Sequence, residues 1–301
     1  MTAEWVARTC PLCGPAGNGP VFAESNIDMA KLDAFAFASR KLPEYMHPRL
    51  IDCRGCGLLF GNPVLSAHTL ADAYQAAQFD SGREAHYAGR TYAQYVRKIV
   101  SRLPDLDGAL DIGAGDGAFL EQLIALGFRN VAGVEPSEAP IAAAKSEVRP
   151  LIRKGLFHPR DFPSRRFSLI TCFQTMEHVW DPLELARGAL DLLKPGGAFL
   201  IVVHNRNSLS AKLLGLKSPI FDVEHLQIFS PASARELLLR AGFRSVSLSP
   251  IFNSYPLHYW TKLFPLPPTV KEGLLSWMRG SVIGRILIPL PAGNLLCFGF
   301  K

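Results

Sequence analysis

Between residues 105 and 204 the chain switches repeatedly between short apolar runs and helix-like spacing. Ala109-Leu110-Asp111-Ile112 reads as a buried strand, and a helical pattern opens at Ala118-Phe119-Leu120. A second apolar run, Asn130-Val131-Ala132-Gly133-Val134, closes on Glu135-Pro136. Ser137 starts a predicted helix through Lys145, and Leu151-Ile152-Arg153 reads as a short third strand. Phe167 to Phe173 forms a fourth strand, and Asp181-Pro182 opens a helix that ends near Leu193, stopped by Pro195-Gly196-Gly197. Ser230-Pro231 opens another helix through Arg240, ended by Gly242. Val246-Ser247-Leu248 and Leu295 to Phe300 supply late strands. Such alternation predicts an α/β fold, a parallel sheet with helices on both faces. Upstream, Pro63 to Leu103 reads as helical: Ser66 can cap a segment through Tyr74, and Tyr87, Tyr92, Tyr95, Val96 and Ile99 recur at helical spacing. Tyr95 is expected to pack on the sheet, while Tyr74 and Tyr87 are open as lid or substrate contacts.

Between the first strand and its helix stand Asp111, Gly113, Gly115 and Gly117. Glycines there let backbone approach a ligand where a Cβ would clash. A carboxylate at Glu135, ending the second strand, can accept hydrogen bonds from both hydroxyls of a ribose. The Gly-x-Gly-x-Gly spacing differs from the Gly-x-Gly-x-x-Gly of dinucleotide binders and moves the expected ligand toward S-adenosylmethionine.

Residues 109–204 resemble the core of class I S-adenosylmethionine-dependent methyltransferases. Phe167 to Val179, with Glu177-His178, resembles the family's fourth strand and the loop after it. Leu192 to Ile201 resembles its turn into the fifth strand. Glu224-His225-Leu226-Gln227-Ile228-Phe229-Ser230, with Leu237 to Phe243, resembles a segment common in small-molecule members. The resemblance implies a Rossmann-like seven-stranded sheet whose last strand is antiparallel. It places S-adenosylmethionine against Asp111, Gly113, Gly115, Gly117, Glu135, Pro136 and Gln174. Many members carry an acidic residue after the third strand to meet the adenine. Here the loop is Gly155-Leu156-Phe157-His158-Pro159, and Phe157 is the candidate to stack on that ring.

Cys10-Pro11-Leu12-Cys13-Gly14 and Cys53-Arg54-Gly55-Cys56-Gly57 form matched knuckles. Facing each other, they would make a tetrahedral four-thiolate site suited to structural Zn²⁺, with a redox or disulfide pair as the competing reading. The intervening Phe35, Ala36, Phe37, Ala38 and Leu42 could pack a small lobe. Phe37 to Glu44 and Cys56 to Pro63 resemble the zinc-ribbon extension of some of these methyltransferases. Three units follow: a zinc-binding lobe over 1–64, a helical lid or linker over 65–104, and a methyltransferase domain over 105–301. The last carries cap insertions near 205–229 and 250–292. Cys172 and Cys297 sit singly in apolar runs and read as small buried hydrophobes.

With 301 residues, 48% of them hydrophobic, the chain has ample core material. Its formal net charge of +6 is spread along the sequence, without the basic blocks of a nucleic-acid arm. There is no uninterrupted apolar run of membrane-spanning length, and Glu4 and Arg8 occupy the place of a secretory leader core. A cytoplasmic protein is expected, with its oligomeric state open.

The sulfonium methyl is already electrophilic, so the protein must place a nucleophile behind it and exclude water. A base helps when the nucleophile is an alcohol or carbon acid. His225 with Glu224, in the connection over the acceptor pocket, is the first candidate, and His178 the second. Each also has a structural reading, His178 as an organiser of its turn and Glu224 as a helix-flank charge. The 250–292 insertion holds Tyr255, Tyr259, Trp260, Phe264 and Trp277, and 274–287 is amphipathic with Lys271, Arg279 and Arg285 nearby. It could pack inward, cover the pocket, form a dimer surface or rest on a membrane. The expected activity is methyl transfer to a small molecule such as a sugar nucleotide, glycan precursor or secondary metabolite. The alternative is a zinc-bearing RNA or protein methyltransferase.

Overall fold

The computed structural model describes residues 4–29, 45–77, 82–264 and 266–301. The Phe35–Leu42 apolar stretch and the Phe37–Glu44 segment lie outside the described residues. The N-terminal lobe holds β1 (Trp5–Val6), β2 (Val21–Ala23), β3 (Leu50–Asp52), β4 (Leu59–Gly61) and β5 (Val64–Leu65). Helices α1 (Ala67–Ala76) and α2 (Gly82–Arg97) follow, and Ser66 caps α1 by accepting from the Thr69 amide. Then come β6 (Asp107–Ile112), α3 (Ala118–Ala125), β7 (Arg129–Glu135), α4 (Glu138–Ala143), β8 (Ile152–Lys154), β9 (Phe167–Phe173), α5 (Pro182–Leu192) and β10 (Leu193–His204). The remaining elements are α6 (Leu209–Leu214), β11 (Gln227–Ile228), α7 (Pro231–Ala241), β12 (Arg244–Pro250), β13 (Asn253–Pro256), α8 (Leu257–Leu263), α9 (Pro268–Met278), α10 (Val282–Arg285), β14 (Leu287–Leu290) and β15 (Asn294–Phe300).

The main sheet has seven strands in the order β12-β15-β10-β9-β6-β7-β8. The five from β10 to β8 are mutually parallel, and β15 runs antiparallel to both β10 and β12. Pleat alternation divides the core in two. Phe199, Ile201 and Val203 face a core shared with α5 and α7, while Ala198, Leu200 and Val202 face one shared with α2 and α3. The seven-stranded Rossmann-like sheet with helices on both faces is therefore present.

Several boundaries differ from the sequence pattern: Val64–Leu65, inside the stretch expected to be helical, is a strand paired with β1, and β8 starts at Ile152 because Leu151 closes a 3₁₀ turn. Helix α4 ends at Ala143, not Lys145, because Ala144 turns extended and buries in the core. The Lys194-Pro195-Gly196-Gly197 turn falls inside β10, where its register against β9 shifts between Leu193 and Ala198.

The N-terminal lobe is not self-contained. Strand β11, from the far end of the sequence, pairs with β4 and completes a four-stranded sheet β11-β4-β3-β2. Cys10, Leu12, Cys53, Cys56, Leu58 and Phe60 belong to the same core cluster as β10 and α7. Arg206 makes a bidentate pair with Asp52 at 2.7 and 2.8 Å, and the mostly buried Arg8 donates to the carbonyls of Trp180 and Leu226.

Candidate functional site

At the carboxyl edge of the main sheet lies a cavity of about 960 Å³. Its lining includes the glycine loop, Glu135 and Gln174, together with His178, His204, Glu224, His225 and Asn253. Open α/β sheets bind ligands in this position, where loops from successive strands converge.

The loop after β6 needs its glycines. Gly113 has φ +80°, and a Cβ there would lie 2.2 Å from Thr175 Oγ1. Gly115 also has positive φ, but a Cβ would meet nothing within 4 Å, so the left-handed backbone itself selects glycine. Its amide donates to Glu135 Oε2 at 2.9 Å, and the Ser137 amide donates to Oε1 at 2.9 Å. Burial raises the Glu135 carboxyl above its usual range, against the pull of those two amides, and Asp116 adds repulsion. Asp111 is buried, accepts from the Thr171 hydroxyl at 2.6 Å, and is pushed up to about 8 by desolvation. Gln174 sits at positive φ, lines the cavity, and keeps a buried Nε2 without a hydrogen-bond partner among the described residues. Pro136 and Phe157 also line the cavity, and Phe157 stacks on Phe162 with centroids 6.4 Å apart. Gly117 does not line it: it caps α3 in the left-handed region, close against Val148. A bare glycine turn, two buried acids and an orphan amide donor suit a ligand with hydroxyl, ammonium and carboxylate groups, as S-adenosylmethionine has.

A second group in the lining gathers imidazoles. His178, Glu224 and His225 each bring one nitrogen or carboxylate oxygen within 4.8 Å of the others. Glu224 Oε2 lies 3.7 Å from His178 Nδ1, and the Tyr74 hydroxyl lies 2.9 Å from the same nitrogen. Burial and nearby carboxylates raise the Tyr74 phenol well above its ordinary value, so it stays neutral. His225 is buried, with Nδ1 2.8 Å from the Ile220 carbonyl. A carbonyl only accepts, so Nδ1 carries a proton. The His225 ring lies 4.9 Å from that of His178 and 5.0 Å from that of His204. Desolvation lowers His204 to about 4, and its Nδ1 donates to Asn294 Oδ1 at 3.0 Å. Beneath this cluster Glu177 is fully buried, accepts from the His204 amide, and is raised to about 8 by burial.

His204, Asn294, Asn253 and Thr175 join the site without a sequence signal, and Tyr74, open between lid and substrate contact, meets His178. His204 ends β10 and Asn294 starts β15, so only the pairing of those strands joins them. No motif marks any of these residues.

In the N-terminal lobe the sulfurs of Cys10, Cys13, Cys53 and Cys56 all lie within 4.8 Å of one another. Cys10 and Cys56 Sγ are 3.7 Å apart. A zinc–sulfur tetrahedron with bonds of about 2.3 Å has edges of about 3.8 Å, so the donor set fits a thiophilic ion. Gly17 packs on the cluster so closely that a Cβ would come 2.5 Å from Cys10 Cβ and 2.8 Å from Cys53 Sγ. Cys172 and Cys297 are fully buried, as expected for structural thiols.

Among known proteins, the family described as methyltransferase domain matches residues 85–248. A protein of Mycolicibacterium smegmatis named as a probable S-adenosylmethionine-dependent methyltransferase is 30% identical over 161 residues, 53% of this chain and 60% of that protein. A ubiquinone biosynthesis O-methyltransferase of Marinobacter nauticus is 35% identical over 111 residues, 34% of this chain and 46% of that enzyme. The matched segments thus span about half the length of these curated relatives. A crystal structure of a SAM-dependent methyltransferase from Archaeoglobus fulgidus superposes with a TM-score of 0.48 at 19% identity, covering 78% of this chain and all of that one. With more than half its length matched by the family, this chain belongs to the methyltransferase-domain proteins, as a class I S-adenosylmethionine-dependent member with an N-terminal four-cysteine extension.

Proposed function

We propose that the protein transfers a methyl group from S-adenosylmethionine to a small-molecule acceptor, a sugar nucleotide, glycan precursor or secondary metabolite. The observation that carries this reading is one cavity holding both the glycine loop with Glu135 and the His178–Glu224–His225 cluster. The cofactor supplies an electrophilic methyl group. Glu135 would accept from its ribose hydroxyls, Gly113 and Gly115 would admit it closely, and Gln174 and Phe157 would meet its polar and aromatic parts. His225 Nε2 takes the acceptor proton, while the Ile220 carbonyl holds the tautomer that leaves this nitrogen basic. Glu224 steadies the positive charge that develops on the imidazole pair, and Tyr74 orients His178. His204, held near 4, is too weak a base at neutral pH and serves as a neutral wall of the pocket. Relatives named for ubiquinone O-methylation fit an oxygen nucleophile, which such a base would serve.

Zn²⁺ on Cys10, Cys13, Cys53 and Cys56 would be structural, since four thiolates leave no open position. We propose a cytoplasmic enzyme, where a reducing environment would keep the zinc thiolates available.

The test is labelled-methyl transfer against sugar nucleotides, metabolite extracts and RNA, followed by His225→Ala on the acceptor found. Turnover should fall about 10²–10⁴-fold with cofactor affinity nearly intact. A loss confined to acceptor KM would make His225 a binding residue. Transfer to RNA alone would replace the small-molecule reading.

A further inference from the structure

Among the described residues, exposed large apolar side chains concentrate on one part of the surface. Nine of eighteen lie between Phe252 and Leu290, and three more lie at Leu209, Leu213 and Leu216. Val282 is 82% exposed and Trp277 59%. In α9, Val270 and Trp277 are seven residues apart and therefore share one outward stripe. The two groups are neighbours, because Ser210 Oγ donates to the Ala292 carbonyl and a Cβ on Gly293 would press on Ser208 and Ser210. Leu209, Leu213, Phe264 and Leu290 belong both to this exposed surface and to the lining of the cavity. The cavity therefore opens within the apolar patch.

Charge selects what covers it. Lys212, Lys217, Arg279 and Arg285 are exposed around the patch. Glu272 is the sole acid between residues 250 and 292, against Lys262, Lys271, Arg279 and Arg285. A second copy docked on the same face would set these cations against their equivalents with almost no acid to pair them, which opposes an isologous dimer. An apolar face with a cationic rim is what an anionic bilayer surface attracts.

The geometry points to peripheral docking on an anionic phospholipid surface through α6, α9, α10 and β14, with the cavity mouth facing the lipid. Val282, Trp277 and Leu213 enter the boundary of the acyl chains, and Lys212, Arg279 and Arg285 meet the phosphates. An amphiphilic acceptor then loads its reactive head into the cavity from the membrane without exposing its tail to water. That last step rests on the methyltransferase reading, while the docking does not.

The full chain is sedimented with vesicles of phosphatidylcholine alone and of phosphatidylcholine with phosphatidylglycerol. Binding is expected to the second only, weakening as salt is raised. Arg279→Gln with Arg285→Gln should weaken partitioning about 30-fold, from about fivefold per cation near an anionic surface. Val282→Ser should weaken it about tenfold through lost apolar burial. All three positions are exposed, so both variants should keep the wild-type Tm and S-adenosylhomocysteine affinity. A folded wild-type chain that stays in the supernatant with anionic vesicles overturns the docking, as does binding that survives both variants. A dimer that Val282→Ser dissociates, without lipid binding, gives the face to a second copy instead. Docking without S-adenosylhomocysteine binding would sink the methyltransferase reading and leave the docking standing.

Discussion

Replacing Asp111 with asparagine should flatten the pH dependence of stability. Asp111 is 3% exposed at the end of β6, and burial lifts its carboxyl to about 8 in the folded chain, with Glu135 adding repulsion. In the unfolded chain the group titrates near the ordinary value of about 4. A carboxyl raised on folding keeps its proton while the unfolded chain has lost it. Its contribution is thus complete below about pH 4 and drains away as pH rises through about 8. One proton of difference costs about 1.4 kcal/mol per pH unit, so Asp111 alone should remove about 3 kcal/mol between about pH 5 and about pH 7. Asparagine does not titrate, and its Oδ1 can still accept from the Thr171 hydroxyl now 2.6 Å from Asp111 Oδ1. Urea unfolding of both proteins at several pH values measures the difference directly. Wild type should lose ground steadily to Asp111→Asn as pH rises, with Glu177, also raised to about 8, giving both curves a common slope. Parallel curves for the two proteins would refute the claim that Asp111 is held protonated by burial.

Glu135→Ala removes the carboxylate proposed to accept from the ribose hydroxyls, which also holds the Gly115 and Ser137 amides. Charge-assisted bonds of this kind are worth about 1.5–3 kcal/mol each, so S-adenosylhomocysteine affinity should fall at least about tenfold by calorimetry. Unchanged affinity would take Glu135 out of the cofactor site. Purified protein should carry about one zinc per chain, and chelation should raise hydrogen exchange at Leu59–Gly61 before the central strands. Absence of metal in freshly isolated chains, together with quantitative disulfides, would replace zinc with a redox role.

Patterns that depend on neighbours in sequence were legible. The β6–α3–β7 unit, with its glycines and closing acid, and both cysteine knuckles could be read because each is a local geometric requirement. Buried strands also announced themselves as apolar runs, with helix stops at glycine and proline. Residues joined only by topology were not legible. Tyr74 reaches His178 across 104 residues, and His204 reaches Asn294 across 90. Strand β11 is two residues long, too short for any period, and belongs to a sheet whose other strands lie more than 160 residues earlier. The Glu224–His225 pair was singled out by resemblance; its carboxylate proved to lie 3.7 Å from His178 Nδ1, a proximity no spacing rule encodes.

The pairing of β11 with β4 changes what a domain border can mean in this molecule. Gln227 follows His225 by two residues, and the Leu226 carbonyl between them accepts from the Gly61 amide and from Arg8. A cut between residues 64 and 65 would pass through a sheet, leaving β11 with a bare edge and the Leu226 carbonyl with neither donor. The segment bearing His225 is in effect a strand lent to the lobe and anchored there. The residue next to His225 is thus tied by hydrogen bonds to β4 and to Arg8. No described residue before Ala67 lines the cavity, so the four-cysteine lobe meets the pocket only through the β11 segment that it holds, two residues beyond His225.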